Sequence, residues 1–218
     1  MTEHGRVPGR TRIKFCGMTR PEDVDAAVAA GADALGFVLW PGSQRAVDLA
    51  RLATLAARVP AFVTRVGLFV DPEPELVARA AEHLDLLQFH GEESPAICAA
   101  AGHPWIKALR MRDGLDLPAA AGDYHQARAL LLDAYRPGLP GGTGETFDWS
   151  RIPASLAKPV ILAGGLTPAN VAEAIAVVRP YAVDVSGGIE TAPGRKDAAL
   201  MAAFRQAVRR ADECRTDG

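Results

Sequence analysis

Arg12-Ile13-Lys14-Phe15-Cys16-Gly17-Met18-Thr19-Arg20-Pro21-Glu22-Asp23-Val24 decides the fold. Its first five residues read as a short buried strand. Gly17 to Arg20 then form a turn, and Pro21 stands near the first position of a helix, where a missing N–H costs nothing. A thiol is thereby set at the C-terminal lip of a strand that feeds a helix, the place where α/β proteins collect their chemistry. Taken alone, Cys16 is as well explained as a small buried apolar residue.

The same unit recurs outward from this stretch. Short β-rich apolar runs fall at 12–16, 34–39, 62–70, 85–89, 104–109, 129–133, 159–163 and 182–186. Segments with helical periodicity lie between them at 21–30, 48–58, 74–83, 168–178 and 197–212, with weaker ones at 94–102, 115–122 and 148–157. Eight strands in this alternation predict a single-domain α/β protein, a (β/α)8 TIM barrel over 11–212. A doubly wound open sheet is the alternative, but it would normally use fewer strands. Residues 1–10 and 213–218 read as frayed, disordered tails.

Bulk properties exclude several partners. A net charge of −2 with pI near 6.2 announces no basic face for nucleic acid or an anionic membrane. The three cysteines, Cys16, Cys98 and Cys214, form no CxxC pair and no zinc-binding spacing, which favours a reduced, cytoplasmic setting. No apolar run approaches the roughly 20 residues of a membrane span, and the first residues lack a signal-peptide core.

In a barrel of this kind the reactive groups come from strand ends, and residues two apart on a strand share a face. The polar residues so placed are few: Lys14 and Cys16, Gln88 and His90, Asp133, and Asp184 with Ser186. Interior hydrogen bonds or a Lys14–Asp184 ion pair would explain them singly, but a ring of them around one mouth suggests a site. Asp133 follows three leucines, where a carboxylate is costly to desolvate unless paired or used. The glycines of Gly164-Gly165 after strand 7, and Ser186-Gly187-Gly188 after strand 8, let backbone N–H groups approach an anion at the usual phosphate position. Leu139-Pro140-Gly141-Gly142-Thr143-Gly144-Glu145 is no P-loop, since Leu139 replaces the first glycine and Glu145 the lysine. Gly142, Thr143 and Gly144 are better read as part of a mobile loop that covers a ligand near Asp133.

These motifs together resemble the phosphoribosylanthranilate isomerases. The residues that carry the resemblance are Lys14-Phe15-Cys16-Gly17-Met18-Thr19-Arg20-Pro21, Gly31-Ala32-Asp33-Ala34-Leu35-Gly36-Phe37-Val38, the Gly42-Ser43-Gln44-Arg45 loop and Leu87-Gln88-Phe89-His90-Gly91. They continue with Leu132-Asp133-Ala134, Gly141-Gly142-Thr143-Gly144-Glu145-Thr146, Ala163-Gly164-Gly165-Leu166 and Val183-Asp184-Val185-Ser186-Gly187-Gly188-Ile189-Glu190. Gly187 departs from the family, where a second serine is common, and removes one hydroxyl contact to phosphate.

The resemblance implies a ribulose-phosphate-binding barrel and an Amadori rearrangement in tryptophan biosynthesis, without cofactor or metal. N-(5-phosphoribosyl)anthranilate becomes 1-(2-carboxyphenylamino)-1-deoxyribulose 5-phosphate. It implies Cys16 as general base and Asp133 as general acid. Arg45 is expected to pair with the anthranilate carboxylate, Asp184 to contact substrate or orient Lys14, and His90 and Gln88 to support the site. A free thiol titrates near 8.5; Lys14 and the amides of the Gly17-Met18 turn are the groups able to lower its pKa, and the sequence leaves the net value open. The chain would act as monomer or homodimer on this small molecule. A histidine-pathway or bifunctional isomerase is the nearest rival. It would carry aspartate at the end of strand 1 and a second phosphate loop, whereas Val70-Asp71-Pro72-Glu73 is acidic. A non-catalytic phosphosugar-binding barrel would explain the glycine loops but not the pairing of Cys16 with Asp133.

Overall fold

A computed structural model of the chain describes residues 9–134 and 146–216. Eight parallel strands close into a barrel in sequence order: β1 (Arg12–Cys16), β2 (Ala34–Val38), β3 (Thr64–Phe69), β4 (Leu86–Phe89), β5 (Trp105–Arg110), β6 (Leu130–Asp133), β7 (Val160–Leu162) and β8 (Ala182–Val185). Closure pairs β8 with β1, which sets Lys14 opposite Asp184 and Phe15 opposite Val185. On its other side β1 sets Cys16 opposite Gly36 of β2. The helices are α1 (Pro21–Ala29), α2 (Leu49–Ala56), α3 (Pro74–Ala81), α4 (Pro95–Ala100), α5 (Leu117–Asp123), α6 (Val171–Val178) and α7 (Ala198–Thr216).

The period-2 alternation of each strand divides its side chains between two cores. Outward residues Ile13, Phe15, Leu35, Leu87, Phe89, Val183 and Val185 pack under the helices, with Phe15 meeting Phe204 of α7 edge-on at 6.1 Å. Leu130 and Leu132 do the same beneath Leu117 and Ala121 of α5. Inward residues Ile106, Ala108, Leu131, Ile161 and Ala182 fill the barrel floor. Above that floor the inward positions turn polar: Lys14, Cys16, Gln88, Asp133 and Asp184 are all buried.

Local chemistry starts the helices where the sequence places them. Pro stands in the first turn of α1, α3, α4 and α5, and Asp48, Ser94 and Asp116 each accept a hydrogen bond from a first-turn amide of α2, α4 and α5. Several boundaries differ from expectation. The third strand begins at Thr64, since Phe62 adopts φ +70° and turns fully into solvent. Over 148–157 there is no α-helix, only a 3₁₀ turn at Trp149–Arg151. Asp148 closes it through Ser150 N and Oγ, and Pro153 prevents its extension. The helix expected from 168 begins at Val171, because Thr167 and Asn170 form a bonded turn.

Beyond β8 a second 3₁₀ turn (Gly187–Ile189) leads into a small hairpin of β9 (Glu190–Ala192) and β10 (Arg195–Lys196), which the periodicity did not reveal. α7 runs to Thr216, past the boundary placed at 212. Arg10, placed in the N-terminal tail, is paired end-on with Asp33 through both Nη atoms, with Nη1 to Oδ2 at 2.7 Å. Residues 1–8 of that tail lie outside the described residues, as do Gly142, Thr143 and Gly144 with most of the proposed lid. No helix among the described residues is long and apolar enough to cross a membrane.

Candidate active site

A cavity of about 450 Å³ opens at the C-terminal mouth of the barrel. Of the described residues that the sequence nominated, Cys16, Arg45, Gln88, His90, Asp133, Gly164, Gly165, Asp184, Ser186, Gly187 and Gly188 line it, while Lys14 lies buried beside Cys16 and Asp184. β1 delivers Cys16 and β6 delivers Asp133, because both are the last inward positions of their strands.

On the β1 side, the Lys14 ammonium donates to Asp184 Oδ1 at 2.8 Å, and both side chains are buried. The thiol and the ammonium share the space above Gly36, where a Cβ would stand 2.6 Å from Cys16 Sγ and 3.0 Å from Lys14 Nζ. Only glycine leaves room for both. Burial pushes the Cys16 thiol pKa up; Lys14 opposes this, Asp184 reinforces it, and on balance the pKa is raised. Burial alone would lower the Lys14 pKa, but Asp184 and the neighbouring thiol hold it above its ordinary value.

Lys14 thus pulls the thiol pKa down, as its place on the strand suggested, but burial and Asp184 outweigh it. Lys14 shares its charge with Asp184, and the turn amides are spent: Gly17 N and Met18 N donate to Gly36 O at 2.9 and 3.0 Å. A thiolate-absorbance titration, taken as wild type minus Cys16→Ala, should show a midpoint above the ordinary thiol value of about 8.5. The sign follows from a raised pKa, for which the anion appears only at higher pH. A midpoint below that value would contradict the balance of charges described.

On the β6 side, Asp133 Oδ1 accepts from Ala134 N at 2.9 Å, and Oδ2 stands 3.2 Å from His90 Nε2. That approach is too far off line to count as a hydrogen bond, so Nε2 has no hydrogen-bond partner among the described residues. Gln88 Nε2 lies 3.2 Å from His90 Nδ1. With the amide as donor, Nδ1 accepts and the ring proton sits on Nε2, facing Asp133. Gln88 and His90 thus make the interior hydrogen bond foreseen for them while standing beside Asp133. Arg110 Nη2 donates to His90 O at 3.1 Å, and Lys107 Nζ donates to Gly91 O and Glu93 Oε2, both at 2.7 Å, so the half-buried Arg110 and the buried Lys107 brace the His90 loop.

The glycine loops form the third side. Gly164 and Gly165 have φ of +84° and +63°, and a Cβ on Gly164 would stand 2.4 Å from Ala134 N. Asn170 stitches this loop: its Oδ1 accepts from Thr167 N at 2.8 Å and its Nδ2 donates to Gly165 O at 3.0 Å. Gly188 lies so close to Leu166 that a Cβ would be 2.0 Å from its carbonyl oxygen. Ser186 Oγ donates to Cys16 O at 3.0 Å, so its proton is engaged within the protein. An anion here would be met by backbone amides. Gly188→Ala should cost about 1–3 kcal/mol in thermal or urea unfolding and raise the KM of a phosphorylated substrate. Unchanged stability and KM would mean that the two loops are free to separate.

Arg45 reaches the cavity from the loop after β2, its stem laid over Gly17 (φ +79°), where a Cβ would be 2.6 Å from Arg45 Cδ. Its guanidinium is already paired: Nε and Nη2 donate to Glu190 Oε1 and Oε2 at 2.9 and 2.7 Å. Glu190 also accepts from Lys196 Nζ at 2.6 Å. Burial alone would raise the Glu190 pKa, yet Arg45 and Lys196 hold it below the usual carboxylate range. Burial lowers that of Lys196 despite Glu190. Trp40 lines the cavity beside Arg45 and lies against Gly42, where a Cβ would be 2.3 Å from the indole. Sequence reasoning assigned no role to Trp40, Asn170, Glu190 or Lys196. Glu190 ends the Ser186–Glu190 stretch and Trp40 stands two residues before the Gly42–Arg45 loop, so position offered a signal for those two.

Known proteins resemble this chain over most of its length. The profile of the N-(5'-phosphoribosyl)anthranilate (PRA) isomerase family matches residues 13–207. An N-(5'-phosphoribosyl)anthranilate isomerase of Chromohalobacter salexigens is 73% identical over 199 residues, covering 91% of this chain and 94% of that protein. The crystal structure of the Thermotoga maritima phosphoribosyl anthranilate isomerase superposes with a TM-score of 0.84 at 38% identity, covering 91% of this chain and 98% of that one. A further isomerase of this type, solved with reduced 1-(o-carboxyphenylamino)-1-deoxyribulose 5-phosphate, has a TM-score of 0.78 at 36% identity, covering 91% of this chain and 98% of that one.

Proposed function

The chain belongs to the phosphoribosylanthranilate isomerase family, and we propose that Cys16 and Asp133 divide the two proton transfers of its reaction. The protein is an isomerase of tryptophan biosynthesis that converts the aminoaldose N-(5-phosphoribosyl)anthranilate into the aminoketose by an Amadori rearrangement. The observation that carries the division of labour is one cavity with a thiol on one wall, a carboxyl on another and a glycine cradle between strands 7 and 8.

The substrate phosphate binds the amides around Gly164–Gly165 and Gly187–Gly188, which fixes the ribose across the mouth. Arg45 takes the ring carboxylate, and Trp40 offers the aromatic ring an apolar wall. Asp133 gives its proton to the furanose oxygen, and C1–O cleavage leaves a protonated Schiff base. The Cys16 thiolate then removes the proton from C2; the C2–H pair becomes the C1=C2 bond of an enolamine, and the C1=N pair moves to nitrogen. Tautomerisation completes the ketone. Lys14 beside Sγ stabilises the thiolate as it forms and offsets part of its burial. The unpaired cysteines suit a cytoplasmic setting.

Purified protein should abolish the fluorescence of phosphoribosylanthranilate and yield the aminoketose. Turnover of the corresponding histidine-pathway aminoaldose at a comparable rate would favour the bifunctional reading. Binding of the reduced product without turnover would favour a non-catalytic barrel.

A further inference from the structure

Arg45 is the carboxylate anchor of the proposed site, yet a carboxylate of the protein already occupies one edge of it. Glu190 is nearly buried, with its side chain 5% exposed, and it grips the guanidinium side-on through Nε and Nη2. A guanidinium has five N–H donors in a rigid fork. Side-on pairing uses two and leaves the end-on edge, Nη1 and the second Nη2 hydrogen, for another carboxylate. Left to itself, an arginine on a loop would sample many rotamers, and ordering it would be charged against binding.

Glu190 is itself fixed. Its Oε1 also accepts from Gly194 N at 3.2 Å and from the fully buried Lys196 ammonium. Lys196 Nζ reaches on to Ser186 O at 3.1 Å and Ser186 Oγ at 3.3 Å, and that hydroxyl donates to Cys16 O. The charges also matter. Glu190 alone would cancel Arg45, whereas two cations and one anion leave the cluster with one net positive charge. The hairpin after β8 therefore ties the carboxylate anchor to the phosphate loop and to the end of the strand that bears the thiol.

We infer that Glu190, held by Lys196, is a positioning residue that presents Arg45 end-on and so selects ligands bearing the ring carboxylate. This rests on Arg45 being the carboxylate anchor, and the experiment separates the two claims. The probes are the reduced product and the same compound lacking its ring carboxylate, used as competitive inhibitors of the wild type and of Arg45→Ala, Glu190→Ala, Glu190→Gln and the double alanine variant.

Wild type should prefer the carboxylated probe. If Arg45→Ala keeps that preference, the anchor reading fails. If Arg45→Ala loses it, Glu190→Ala should lose about tenfold or more of the preference, with affinity for the other probe nearly unchanged. The double variant should be no worse than Arg45→Ala. Glu190→Gln keeps a carbonyl acceptor in the same volume, so it should fall between and supplies the test if the alanine variant does not fold. Equal weakening of both probes, or additive losses in the double variant, would overturn the inference in favour of a purely structural pair.

Discussion

Cys16→Ala should turn over about 10²–10⁴-fold more slowly than wild type while binding the reduced product with nearly unchanged affinity. The size reflects loss of the only group on the β1 wall able to accept a proton from C2. Lys14 cannot replace it, because its ammonium is committed to Asp184 and its pKa is held up. Binding is spared because the anchors are elsewhere, in the glycine cradle and at Arg45. Truncation removes one sulfur from beneath the mouth and leaves Lys14–Asp184 intact, so the fold should tolerate it. The check is steady-state turnover with calorimetric binding of the reduced product; near-wild-type kcat would remove Cys16 from the base role.

Asp133→Asn should show a loss of similar size, about 10²–10⁴-fold in kcat, for the opposite reason. Asparagine is isosteric and can still accept from Ala134 N through Oδ1, so the end of β6 and its close contact with Gly164 are preserved. An amide has no acidic proton to give the ring oxygen. His90 faces the same space but is held between Gln88 and Asp133 and cannot reach across as a full substitute. The expected signature is a lower kcat with unchanged thermal stability; an Asn variant with wild-type turnover would dismiss Asp133 as the acid.

How far the sequence carried each part depended on whether the signal was local. Arg12 to Val24 contains its own strand alternation, turn and proline start, so β1, α1 and the place of Cys16 were legible. The same holds for Asp133, whose three preceding leucines alternate between the floor and α5. The glycines at 164, 165 and 188 were legible as a cradle, though the reason each must be glycine is a tertiary contact with Ala134 or Leu166. Partnerships across the chain were not. That Gly17 and Met18 amides go to Gly36, that the Ser186 hydroxyl turns inward to Cys16, and that Glu190 claims Arg45 all depend on the meeting of segments distant in sequence. The helix expected at 148–157 failed for a local reason that composition obscured, a side-chain-capped turn followed by Pro153.

The division of labour is tested most directly by the primary deuterium isotope effect on kcat with substrate deuterated at C2 of the ribose. If Cys16 removes that proton, its loss makes C2–H cleavage limiting, and Cys16→Ala should express a full normal effect. If Asp133 drives the earlier ring opening, Asp133→Asn should stall before C2 is touched, with an effect near unity. The reverse pattern, a full effect in Asp133→Asn and none in Cys16→Ala, would contradict the assignment.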